Sequence, residues 1–103
     1  MEVDITKRFA NNVHAVCIHK HILIGELENS VGVTLGYISR LRKGGRCTSL
    51  SLAYYVSKYL NMSLDELLNS DLEAKFKSDI YRAELEKLEK RANELKRLLE
   101  EKE

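Results

Sequence analysis

Proline and tryptophan are absent from this 103-residue chain, so its backbone breaks fall to glycine, asparagine and side-chain caps. Cysteine is scarce: Cys17 and Cys47 have no CxxC spacing, which excludes a disulfide framework and points to free thiols in a reducing, intracellular compartment. No apolar run approaches the ~20 residues that cross a bilayer, so no membrane partner is expected. The N-terminus, MEVDITKRF, lacks a basic-then-apolar leader pattern. Strand alternation and internal repeats are missing. No nucleophile–base pair or carboxylate dyad stands out, so enzymatic activity is not expected.

One absence is local. Between Asn29 and Leu64 there is no Asp or Glu, while Arg40, Arg42, Lys43, Arg46 and Lys58 fall in that span. The formal net charge is only +1, so the cations are concentrated rather than abundant. After residue 70, acidic and basic side chains interleave in near balance, as on a solvated helix.

What is present reads as helix throughout. Asp4 can cap a first helix, with Ile5, Phe9, Val13 and Val16 at helical spacing to about Lys20. The segment IGELENSVG predicts a brief second helix ending at Gly32. Thr34 can cap a third helix, Thr34 to Lys43, with Ile38 and Leu41 inward and Gly44-Gly45 after it. Ser49 starts a fourth, with Leu52, Val56, Tyr59 and Leu60 on its buried side and Asn61 at its end. SLDE, Ser63 to Glu66, is a capping box that opens a fifth, and SDLE, Ser70 to Glu73, opens one long final helix. The expectation is all-α: a five-helix head, residues 1–69, and one long amphipathic helix, residues 70–103.

A short helix, a Gly-Val turn and a second helix with inward Ile and Leu form a helix-turn-helix pattern. Phe9 to Leu68 resembles the phage-repressor-like (lambda-repressor-like, Xre-type) helix-turn-helix family. The resemblance is carried by Phe9-Ala10, Val13, Val16, Leu27, Gly32-Val33-Thr34, Ile38-Ser39-Arg40, Gly44, Ser49-Leu50 and Ser63 to Leu68, in order and without a gap. It implies a sequence-specific DNA-binding transcriptional regulator, with a repressor the expected kind, in the cytoplasm of a bacterial or phage-infected cell. It makes 34–43 the recognition helix in the major groove, with double-stranded DNA as partner. Thr34, Leu35, Gly36, Tyr37, Ser39, Arg40, Arg42, Lys43 and Arg46 are then the DNA-facing residues. Arg40 is placed to fork onto a guanine and Arg42, Lys43 and Arg46 to meet phosphates.

The departures from the family pattern are specific. Ile24 stands where a backbone-touching Gln is usual, and Glu28 where a small Ala lets the second and third helices cross. Leu35 and Gly36 stand where polar base readers are common. Where many members pair a buried Arg in the first helix with a Glu late in the third, this chain has Cys17 and Arg42. That double change frees Arg42 for solvent or phosphate. Glu28 is expected to be partly exposed or paired with Arg40 or Arg42, which would make Glu28→Ala neutral or stabilising. These departures keep a second class open, a protein-interaction module (anti-repressor, inhibitor or scaffold) that has lost base readout.

Two further patterns need weighing. His14, Cys17 and His21 share a helical face, with His19 nearby, but lack paired ligand spacing, so neither metal nor other cofactor is expected. Tyr54, Tyr55 and Tyr59 read as packing of the fourth helix rather than a base-stacking platform. In the tail, Tyr81, Leu85, Leu88, Ala92, Leu95 and Leu99 alternate spacings of four and three, a coiled-coil seam. The expectation is a homo-oligomer, a dimer through this helix; its flanking charges argue against a simple parallel pair, and antiparallel self-association, packing on another subunit's head and docking of a different protein stay open. Cutting the chain after about Ser70 should then leave a folded, mainly monomeric head.

Overall fold

A computed structural model describes residues 4–101, so the outer limits of the two expected segments, 1 and 103, lie outside the described residues. All described secondary structure is helical. The elements are α1 (Ile5–Lys20), α2 (Ile24–Ser30), α3 (Tyr37–Arg42), α4 (Leu50–Leu60), α5 (Leu64–Asn69), α6 (Leu72–Lys75) and α7 (Lys77–Glu101). Side-chain caps open several of them by accepting otherwise orphaned amides. Asp4 takes the Lys7 N–H at 2.9 Å, Ser49 that of Leu52 at 3.0 Å, and Ser63 that of Glu66 at 3.1 Å. His21 and Asn61 close α1 and α4 in the left-handed region, at φ 58° and 55°.

The core forms around α1. Phe9, Val13 and Val16 meet Leu27, Ile38, Leu41, Val56, Leu60 and Leu67 from the next four helices, all fully buried. Each such side chain contributes ~1.5–3 kcal/mol by leaving water. Tyr59 does not join them. The buried stripe of α4 is Leu52, Ala53, Val56, Ser57 and Leu60, and Tyr59 lies past its edge, 38% exposed. Tyr54 and Tyr55 are also exposed, edge to face with ring centroids 5.8 Å apart.

The final helix is divided, contrary to the single helix expected from Ser70. Asp71, not Ser70, caps α6 by accepting the Ala74 N–H, and Phe76 (φ −105°, ψ 25°) separates α6 from α7. The α5–α6 junction is held by Asn12, a buried amide on α1. Its Nδ2 donates to the carbonyls of Leu67 at 2.7 Å and Ser70 at 2.8 Å, and its Oδ1 accepts the Leu72 N–H at 3.1 Å. One side chain thus satisfies the end of α5 and the start of α6 together. Leu72 enters the core beside it, and Phe76 and Ile80 pack against that core. His19 stacks on Phe76 (4.0 Å between centroids) and reaches Asp79 at 2.8 Å. Packing of the head therefore continues past residue 69, and a cut after Ser70 would remove Leu72 and one partner of Asn12.

Beyond Lys87, α7 leaves the head. Its 25 residues span ~37 Å. The radius of gyration, 16.4 Å, exceeds the ~13 Å of a compact domain of this length because of that projection. Tyr81, Leu85, Leu88, Leu95 and Leu99 are all more than half exposed. Among the described residues, no helix is long and apolar enough to cross a membrane.

Two outcomes follow from this packing. Asn12→Ala should destabilise the chain by ~2–4 kcal/mol in urea melts, since it strands buried backbone groups at two helix ends. His14, half-buried against α7, has its pKa lowered from 6.5 to about 4, chiefly by burial and then by the charges of Arg42 and Lys87. The unfolded chain then binds this proton before the folded one does. The His14 contribution should be flat above about pH 6.5 and fall between 6.5 and 4. After discounting for solvent screening the loss is on the order of 1–2 kcal/mol, and His14→Gln should remove it from urea midpoints measured across that range.

Candidate nucleic-acid interface

The segment joining α2 to α3 is built around a carboxylate. Glu28 is 2% exposed, and its two oxygens accept the backbone N–H groups of Gly36 at 3.1 Å and Ile38 at 2.9 Å. Neither Arg40 nor Arg42 forms an ion pair with it among the described residues. The expectation of an exposed or cation-paired Glu28 is therefore wrong. A side chain from α2 serves as the cap that α3 lacks locally. Thr34 does not cap α3. The Tyr37 N–H closes a turn onto the Thr34 carbonyl at 3.2 Å, Gly36 is the N-terminal cap residue, and α3 starts three residues later than the sequence suggested.

Gly36 has two reasons to be glycine. Its φ of +87° is a left-handed conformation that costs other residues energy. A Cβ there would also stand 3.3 Å from Nη1 of Arg40. Arg40 folds back over this turn: its Nη2 donates to Thr34 Oγ1 at 2.9 Å, and its guanidinium sits 6.0 Å from the Tyr37 ring centroid. The Tyr37 hydroxyl lies 3.2 Å from Thr48 Oγ1, which ties α3 to the segment before α4. So Tyr37 braces the helix from within the head.

The inward positions Ile38 and Leu41 define the outward face of α3 by helical geometry. Ser39, Arg40 and Lys43 fall opposite them, with Ser39 and Lys43 exposed. Thr34 and Leu35 continue that face into the turn; Leu35 is 73% exposed. Arg46 is exposed in the following loop. Arg42 is different. It is half-buried, and its Nε donates to Asn11 Oδ1 on α1 at 3.1 Å. It also borders a cleft between α1, α2 and α7 with His14, Cys17 and Lys87. Arg42 is therefore not free for solvent or phosphate as expected, because Asn11 holds it.

The loop carrying Arg46 is anchored as well. Asp4 accepts the Gly45 N–H at 3.3 Å with the oxygen not used for capping α1. The Lys7 amide first, and then the Gly45 amide, lower its carboxyl pKa. Cys17 is buried, and burial followed by the Glu28 charge pushes its thiol up to about 11, which makes it a poor nucleophile. Among the described residues no three metal-ligating side chains converge. His19 is instead engaged with Phe76 and Asp79.

Glu28 was legible only as an oddity at a crossing. Its target amides lie eight and ten residues away, beyond any local capping pattern. The expected outcome of Glu28→Ala is now the reverse of the family-based one, a loss of ~2–3 kcal/mol in denaturant melts. Glu28→Gln, which keeps one good acceptor, should lose less.

No family model, curated protein or solved structure matches the chain, so its functional reading rests on these residues and their geometry.

Proposed function

We propose that the chain is a sequence-specific DNA-binding regulator of transcription. In this reading α2 and α3 act as a helix-turn-helix of phage-repressor type, α3 enters the major groove, and two copies pair through α7. The observation that carries it is the outer face of α3. Ser39, Arg40 and Lys43 share it and Arg46 extends it, while Glu28 beneath α3 is buried and occupied by backbone amides and Asp4 beside the Arg46 loop is held by the Lys7 and Gly45 amides. Duplex DNA is a dense line of phosphates, so a docking surface needs cations clear of acids. Arg40 is rooted in the last turn of α3, but its guanidinium reaches back to Thr34 at the N-terminal end, where a groove-docked helix first meets base edges. Lys43 and Arg46 lie at its other end, beside the backbone.

The exposed Leu35 favours a second reading. An apolar side chain in the middle of the face suits a thymine methyl, but it equally suits a protein partner. The two readings part on duplex binding at low salt, which a protein-interaction module would lack.

Within the DNA reading, the side-chain placements give distinct mutant signatures. Arg40→Ala should cost ~1–3 kcal/mol on the preferred site and little on random duplex. Lys43→Ala and Arg46→Ala should weaken binding to all duplexes and each lower the salt slope by about one counterion. Arg42→Ala, at a position turned toward α1, should leave that slope unchanged. Gel-shift titrations at several salt concentrations, on selected and scrambled duplexes, measure all four. Absence of any duplex binding by the parent chain at low salt would remove the proposal.

A further inference from the structure

The apolar seam of α7 faces away from its own head. Phe76, Ile80, Ala83 and Lys87 turn toward α1 and the α1–α2–α7 cleft. At 100° per residue, Tyr81, Leu85, Leu88 and Ala92 lie about a third to nearly half a turn from the middle of that face, and all four are exposed. The charges beside this seam discriminate among ways of covering it.

In heptad terms Tyr81, Leu88 and Leu95 are d positions, and Leu85, Ala92 and Leu99 are a positions. The flanks are then Arg82, Glu89 and Lys96 on one side (e) and Glu84, Arg91 and Leu98 on the other (g). A parallel, in-register pair sets Lys77 against Arg82, Glu84 against Glu89 and Arg91 against Lys96, so every flanking contact is between like charges. An antiparallel pair with full overlap, Tyr81 opposite Leu99, sets Arg91 against Arg91, Glu89 against Glu89 and Arg82 against Lys96. Shifting the antiparallel pair by one heptad toward the head reverses this. Leu85 then meets the partner's Leu88, large Tyr81 meets small Ala92, and the flanks become Glu84 with Arg91 and Arg82 with Glu89, each occurring twice. The opposite shift leaves Tyr81 and Leu85 uncovered. The favoured stagger also carries the partner's Leu99 to the groove at the α6–α7 junction lined by Asp71, Ala74, Lys77 and Tyr81.

We propose that α7 binds a second copy of this chain as an antiparallel, one-heptad-staggered pair centred between Leu85 and Leu88. This rests on, and deepens, the proposed pairing through α7. Like-charge contacts disfavour the parallel and fully overlapped pairs, uncovered Tyr81 and Leu85 disfavour the opposite shift, and the large-to-small match of Tyr81 with Ala92 fixes the chosen register.

The test uses full-length chains carrying Cys47→Ser, with Cys17 left in the core. Tyr81→Cys, Ala92→Cys and Leu99→Cys are made singly, given distinguishable tags, mixed in pairs and mildly oxidised. Cross-linking of Tyr81→Cys to Ala92→Cys, at least severalfold over other pairs, is the expected result. Dominant self-cross-linking of Ala92→Cys, dominant Tyr81→Cys to Leu99→Cys linkage, or no linkage overturns the stagger. Glu84→Arg should weaken dimerisation about tenfold or more and added Arg91→Glu should restore it, whereas a parallel pair would be tightened by Glu84→Arg. Sedimentation equilibrium of the Cys47→Ser chain separates the two failures. A monomer overturns the dimer itself, and a dimer with the wrong cross-links overturns only the register.

Discussion

A buried carboxylate with two backbone partners is the constraint on which the outer face of α3 depends. A helix of six residues cannot hold itself together in water, because nearly all its amides and carbonyls are terminal. Two of the α3 amides that need partners point into the head, and Glu28 supplies both oxygens. A buried unpaired charge would cost several kcal/mol, so the amides stabilise the carboxylate as much as it stabilises them. The geometry then propagates. Gly36 must take a left-handed turn to present its N–H, Arg40 closes over the Cβ-free space, and Ile38 and Leu41 are seated inward. The cations face solvent as a consequence.

Asn12, in the middle of α1, performs the parallel task where α5 meets α6. It joins α5, α6 and the core through three hydrogen bonds. This seats Leu72, Phe76 and Ile80 and so sets the angle at which α7 departs. The two polar clamps thus orient the two surfaces on which the proposed function depends, one for DNA and one for a second copy. Apolar burial supplies most of the folding free energy, while Glu28 and Asn12 decide where the short helices start and stop.

Much of this fold was legible because its signals are local. Asp4, Ser49 and Ser63 cap at fixed short offsets, His21 and Asn61 end helices where expected, and the core positions recur at helical spacing. What failed was long-range. Glu28 reaches amides on the next helix, Asn12 reaches residues some sixty positions away, and Asn11 captures Arg42 across the head. No windowed pattern encodes those contacts. Thr34 looked like a cap by residue type, yet Glu28 had taken the amides it would have served. At the candidate interface, Ser39, Lys43 and Arg46 are exposed, and Arg40 is folded back onto Thr34. Arg42 and Tyr37 are turned to structural work.

Residue-resolved amide hydrogen exchange tests the central claim most directly. The N–H groups of Gly36 and Ile38 sit at a helix start, where amides ordinarily exchange quickly for want of a partner. If the Glu28 carboxylate holds α3 in place, both should be protected nearly as strongly as the amides in the middle of α1, and Glu28→Ala should abolish that protection. Exchange as fast as that of the exposed Leu35 amide in the parent chain would contradict the account.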